Sequence, residues 1–156
     1  MRRQNITIHG STGTIGKSAL SVIAQSNNQH KVFALSAKSK IKTLFNQIKR
    51  FNPKYAVVLD EDKAKQLSDL CVKNKISTKI LHGVESYEYI SSDRRVDCVL
   101  SGISGTSALK PTYAAIRSGK KLLLANKESL IMSGELMMKA AQKSGSQIIP
   151  IDSEHN

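Results

Sequence analysis

A chain of 156 residues, 40% hydrophobic and 23% charged, suffices for one well-cored globular domain, and none of its apolar runs approaches the roughly 20 residues that cross a bilayer. Its net charge of +12 is uneven: residues 1–50 hold nine Lys or Arg and no Asp or Glu, and the first acid is Asp60. Such a field attracts phosphates, but an aromatic content of 4%, the lack of tryptophan and the absence of zinc-finger or helix-turn-helix spacing argue against a nucleic-acid partner.

Met1 to Asn5 show no apolar leader core or cleavage site, and Ile6-Thr7-Ile8 read as a short strand. Gly10-Ser11-Thr12-Gly13-Thr14-Ile15-Gly16 comes next, and Gly16, Ala19, Leu20 and Ile23 then recur at helical spacing. Between strand and helix the chain must turn sharply, admit a pyrophosphate to its backbone and pack the helix closely on the sheet; each task favours glycine. The glycines stand at positions 1, 4 and 7 instead of the commoner 1, 3 and 6, so their place between strand and helix carries the reading more than the string does. Residues 32–35 form a second strand. Behind it, Ser36-Ala37-Lys38-Ser39-Lys40 offers two ammonium groups and a hydroxyl where an NAD site usually holds Asp or Glu for the ribose 2′-hydroxyl. That selects NADP, with its 2′-phosphate, over NAD.

Ile41, Leu44, Phe45 and Ile48 mark a helix that stops at Asn52-Pro53. Residues 55–59 read as a strand, and 61–73 as a helix opened by acids that suit its dipole. Residues 78–81, 96–100 and 121–124 read as strands, with no element assigned between the first two. Cys71 and Cys98 lack partners at metal or redox spacing and read as buried thiols in a reducing cytoplasm. His9, His30 and His82 read as structural or exposed.

Small residues in Ser101-Gly102-Ile103-Ser104-Gly105 let a nicotinamide or ribose lie against the backbone, and Pro111 sits in the first turn of a helix that closes at Gly119. In Ala125-Asn126-Lys127-Glu128-Ser129, Lys127 supplies a cation, Asn126 both donates and accepts hydrogen bonds, and Glu128 suits a first helical turn. The final helix sets Leu130, Gly134, Met137, Met138 and Ala141 on one core-facing side and ends at Gly145. A strand at 147–151 then runs into Asp152-Ser153-Glu154-His155-Asn156. In an extended segment, side chains two apart share a face with Cα atoms roughly 6.6 Å apart, so Asp152 and Glu154 can converge on one cation. Oxygen ligands without Cys favour Mg²⁺ or Mn²⁺. Substrate oxygens, waters and a further protein ligand must complete the shell, and His155 points off the pair.

Strands and helices in alternation predict a doubly wound, mainly parallel Rossmann-type sheet of about seven strands with helices on both faces. Residues 1–156 read as one dinucleotide-binding domain, and an acidic rim at its very end suggests a fragment.

Taken together, Gly10-Ser-Thr-Gly-Thr-Ile-Gly16, Pro111-Thr-Tyr-Ala-Ala-Ile116, Leu124-Ala-Asn-Lys-Glu-Ser-Leu130 and Pro150-Ile-Asp-Ser-Glu-His-Asn156 resemble the amino-terminal part of the 1-deoxy-D-xylulose 5-phosphate reductoisomerase family. The resemblance implies an enzyme of non-mevalonate isoprenoid biosynthesis that requires NADPH and a divalent cation. Its phosphorylated sugar substrate is rearranged to a branched aldehyde phosphate and reduced to 2-C-methyl-D-erythritol 4-phosphate. By motif, Thr12, Gly13, Thr14 and Ile15, with Gly10, would line the pyrophosphate, and Lys38, Ser39 and Lys40 would meet the 2′-phosphate, although the family's usual Gly-Lys-Asn is replaced there. Asn126 and Glu128 would touch the cofactor, Lys127 and Ser153 the substrate, and Asp152 and Glu154 the metal. Lys127, Ser153 and Glu154 are thus the catalytic candidates. The family continues well beyond residue 156, as a homodimer, so this piece alone is expected to bind NADPH weakly without turnover. No transit peptide is seen, which favours a bacterial cytoplasm over a processed plastid form. Two alternatives stand: a reductase domain from another NADP-dependent pathway, or a catalytically silent nucleotide- or nucleic-acid-binding module.

Overall fold

In the computed structural model the described residues are 2–125 and 127–151, and of 127–133 only the backbone is described. Among the described residues seven strands alternate with six α-helices: β1 (Gln4–His9), α1 (Thr14–Ala24), β2 (His30–Ala37), α2 (Ile41–Phe51), β3 (Tyr55–Val58), α3 (Glu61–Lys73), β4 (Lys79–His82), α4 (Val84–Ser92), β5 (Cys98–Ser101), α5 (Leu109–Arg117), β6 (Lys121–Leu124), α6 (Lys127–Ser144) and β7 (Gln147–Pro150). All strand pairs are parallel, in the order β4-β3-β2-β1-β5-β6-β7. The chain builds outward from β1 to one edge, returns to the centre, and builds outward from β5 to the other. Between β1 and β5 the connections leave in opposite directions, and such a switch opens a crevice at the carboxyl rim.

Both faces of the sheet are buried, as parallel sheets require. On one, Leu20, Leu44, Ile48 and Leu67 from α1, α2 and α3 pack on Ile6, Ile8, Leu35, Ala56 and Val58. On the other, Ile90, Ala115, Ile116, Met137 and Ala141 from α4, α5 and α6 pack on Phe33, Val57, Val99 and Leu122. Alternating inward residues along each strand divide themselves between the two layers. Local signals fix the helix ends. Asp60 caps α3 by accepting from the Lys63 N–H at 3.0 Å, Lys49 and Arg50 sit in the last turn of α2, and Asn52 takes the left-handed conformation (φ 48°) that ends it.

Three readings need correction. Helix α4 occupies a stretch where no element was expected, because its packed side buries Ser91 beside Ile90 and so shows no continuous apolar stripe. Met138 is 51% exposed while Met137 is 1% exposed: adjacent positions lie about 100° apart on a helix, and only Met137 points into the layer. β2 also runs two residues further than expected, through Ser36 and Ala37.

Candidate functional site: the carboxyl rim at the switch point

The turn after β1 is built from its own backbone. The N–H groups of Gly10 and Ser11 both donate to Ser36 O, at 3.0 and 2.9 Å, and that of Gly13 to Gly10 O at 3.1 Å. Gly10 has φ +73°, and a Cβ there would stand 3.0 Å from Gly102 O. The loop after β5 therefore seats directly on the turn, and the Gly102 N–H closes the contact on His9 O at 3.0 Å. Gly16 serves packing: a Cβ there would lie 2.3 Å from Gly10 O and 2.5 Å from Ser11 Cα. Gly13 differs. Its Cβ would meet only Gly10 O, at an ordinary 3.5 Å, so the protein's own packing tolerates a side chain there.

Gly13 is the N-cap of α1, without a side-chain cap and with no acid in the first turn. The opening N–H groups of that helix have no intrahelical acceptor, and the helix dipole gives them a positive field. Ser11 Oγ is buried without a hydrogen-bond partner, while Gln47 Nε2 braces the turn from α2 by donating to Ser11 O at 2.9 Å. A bare glycine at the cap, unsatisfied donors and an orphaned hydroxyl fit a phosphate-bearing ligand.

The other sequence-predicted groups divide between described and undescribed positions. Gly13, Thr14, Lys38, Ser39 and Lys40 are exposed and Ile15 half-buried, whereas Gly10 and Thr12 sit deeper in the turn. The end of β2 is tied to the turn through Ser36 O, so the Lys38–Lys40 tip stands on the same rim, and no carboxylate lies among residues 36–40. β6 and β7 reach that rim too: the Ala125 N–H donates to Ser101 O at 3.1 Å and the Ile151 N–H to Leu124 O at 2.8 Å. Ile151 joins Thr14, Ile15, Leu100, Gly102 and Leu123 around an apolar groove of about 740 Å³. The expected positions Asn126, Asp152, Ser153 and Glu154 lie outside the described residues, as do the side chains of Lys127 and Glu128, although α6 does begin at Lys127. Among the described residues no group of three or more His, Cys, Asp or Glu is placed to hold a metal ion.

Beneath the turn lies a polar cluster that sequence reasoning treated as inert. His9 is 1% exposed; its Nδ1 lies 2.9 Å from Ser36 Oγ and its Nε2 2.6 Å from Ser91 Oγ. The ring stacks on Tyr87 at 5.6 Å between centroids and 10° between planes. Burial pushes the His9 pKa down to about 3, so the imidazole is neutral. The same cause raises the Cys98 thiol to about 11, and both Cys71 and Cys98 are buried free thiols, inert by this measure.

Sheet order, switch point and glycine turn together define a doubly wound α/β domain of the Rossmann type. Residues 6–134 match the family model described as 1-deoxy-D-xylulose 5-phosphate reductoisomerase. The chain belongs to that family. The enzyme of that name from Dechloromonas aromatica is 45% identical over 153 residues, covering 98% of this chain and 38% of its own length. A crystal structure of DOX-P reductoisomerase in complex with NADPH, fosmidomycin and magnesium superposes with a TM-score of 0.93 at 41% identity, over 97% of this chain and 37% of that one. The Zymomonas mobilis reductoisomerase in complex with NADPH gives 0.92 at 35% identity, over 99% and 40%. The chain thus spans about two-fifths of the length of the relatives it matches. No described helix is long and apolar enough to cross a membrane.

Proposed function

We propose that this chain is the NADPH-binding part of a bacterial cytoplasmic reductoisomerase that converts 1-deoxy-D-xylulose 5-phosphate to 2-C-methyl-D-erythritol 4-phosphate, acting as a homodimer with Mg²⁺ or Mn²⁺. The observation that carries the reading is the shared rim. The glycine turn, the basic tip of β2, the loop after β5 and the ends of β6 and β7 all open on one edge of the sheet. Open α/β sheets hold their ligands along such an edge.

In this reading Gly10, Thr12, Gly13, Thr14 and Ile15 hold the pyrophosphate with the N-terminal N–H groups of α1, and Lys38, Ser39 and Lys40 neutralise the 2′-phosphate. The loop 101–105 backs the nicotinamide, assisted by Asn126 and Glu128. Asp152 and Glu154 bind the cation, and Lys127 and Ser153 contact the sugar phosphate. Bound together, the nicotinamide supplies hydride and the cation supplies a Lewis acid for the substrate's oxygens. The chain's own contribution is to hold these groups in register and to place the Lys127 ammonium where negative charge develops.

Calorimetric titration tests this. NADPH is expected to bind about tenfold more tightly than NADH, the discount from a full charge-assisted contact reflecting the exposure of both lysines. In the double variant Lys38→Ala, Lys40→Ala the two affinities are expected to converge. Equal or tighter binding of NADH by the unmodified chain would contradict the assignment.

A further inference from the structure

The hydrogen bonds around His9 favour one tautomer. Ser91 Oγ lies 2.9 Å from Tyr87 O and 2.6 Å from His9 Nε2; with its single proton on the carbonyl it accepts from His9, and Nε2 carries the ring proton. Nδ1 is then bare and accepts from the Ser36 hydroxyl at 2.9 Å. With its proton committed, Ser36 Oγ turns a lone pair to the Gly10 N–H, 3.4 Å away, beside the stronger bond from that same N–H to Ser36 O. Tyr87, stacked on the ring, donates its hydroxyl to Ala37 O at 3.1 Å. One imidazole thus joins the end of β1 to the end of β2 and anchors both on α4. Gly10 follows His9 directly, and Lys38 follows Ala37 directly.

We propose that His9 is a positioning residue for NADP selectivity: in its Nε2–H tautomer it fixes the Lys38–Lys40 tip relative to the glycine turn, so that pyrophosphate and 2′-phosphate are gripped together. The proposal rests on the NADPH reading above. A satisfied core histidine with no such role would affect the fold and both cofactors alike. A positioning role acts most on the 2′-phosphate: NADH brings its ribose to the same tip but offers no phosphate for Lys38 and Lys40 to grip.

The test titrates NADPH and NADH into the unmodified chain and into His9→Leu, His9→Gln, His9→Asn and Ser36→Ala, with urea unfolding alongside. His9→Leu is expected to weaken NADPH about tenfold while NADH changes less than about twofold, as for groups coupled through one network. Ser36→Ala follows it, and the double variant His9→Leu, Ser36→Ala is no worse than either single one. His9→Asn, whose amide can reach the Nδ1 position and meet Ser36, retains selectivity; His9→Gln, which reaches toward Ser91, does not. Ser36→Ala removes a single oxygen and carries the test should His9→Leu fail to fold. Parallel losses for both cofactors, or unchanged selectivity in Ser36→Ala, overturn the proposal. If the unmodified chain fails to prefer NADPH, the functional reading falls first and this proposal with it.

Discussion

Gly16→Ala is expected to destabilise the fold by about 3 kcal/mol or more, the upper end of what overpacking produces. Two effects oppose each other. Alanine in a helix interior normally gains about 1 kcal/mol over glycine. Against that, the added carbon would lie 2.3 Å from Gly10 O, 2.5 Å from Ser11 Cα and 2.8 Å from Ser11 C. All three are backbone atoms of a turn already held by hydrogen bonds to Ser36, so no rotamer change relieves the clash, and α1 must lift off the turn. The steric penalty wins. Gly13→Ala is the control, because its carbon has room beside Gly10 O; stability should change by about 1 kcal/mol or less, the cost of alanine for glycine at an N-cap, while NADPH binding weakens. Urea unfolding separates the two, and a Gly16→Ala midpoint equal to that of the unmodified chain would show the packing argument to be wrong.

Acid lability follows from His9. Its pKa is about 3 in the folded chain, against about 6.5 for a histidine in unfolded chain. Below pH 6.5 the unfolded state binds a proton that the folded state refuses, so stability falls as pH drops and the slope persists down to about 3. Between pH 8 and pH 5 the loss amounts to about 2 kcal/mol. Asp93, held well below the usual carboxylate range by its hydrogen bonds with Arg95, contributes stability that is present above the carboxylate range and lost only below it. Asp97 behaves likewise: burial, the largest single effect, raises its pKa, but the Asn5 N–H, Arg2 and Lys120 together outweigh it and lower the pKa. The window from pH 8 to 5 therefore reports on histidine. Unfolding free energies across it should decline for the unmodified chain and stay flatter for His9→Leu. Identical slopes in the two proteins would remove His9 as the cause.

Much of this architecture is written locally. The stripe of Leu44 and Ile48, both fully buried, and the acidic opening of α3 at Asp60-Glu61-Asp62 are signals confined to a few neighbouring residues, and they locate their helices correctly. The glycine turn is legible for the same reason, because Gly10 and Gly16 answer to the turn's own backbone and to a loop seated on it. What periodicity misses is polar or long-range. Helix α4 commits Ser91 to His9, 82 residues away in sequence, and Ser36 meets the same ring from 27 residues away. A histidine and two serines at those separations carry no pattern that a sequence window can detect. Exposure of Met138 beside buried Met137 likewise depends on how α6 is rotated against α5, which spacing alone leaves open.

The account depends on a divalent cation and the cofactor's pyrophosphate occupying the same rim of the sheet, and paramagnetic relaxation by Mn²⁺ reads that placement directly. On a ¹⁵N-labelled sample of the chain with NADPH, Mn²⁺ is expected to broaden the amides of Gly10, Gly13, Gly102 and Ile151 and to leave those of Asn5, Asp97 and Lys121, at or next to the first residues of β1, β5 and β6, sharp. Broadening at Asn5, Asp97 and Lys121 with sharp signals at Gly10 and Gly13 would contradict it.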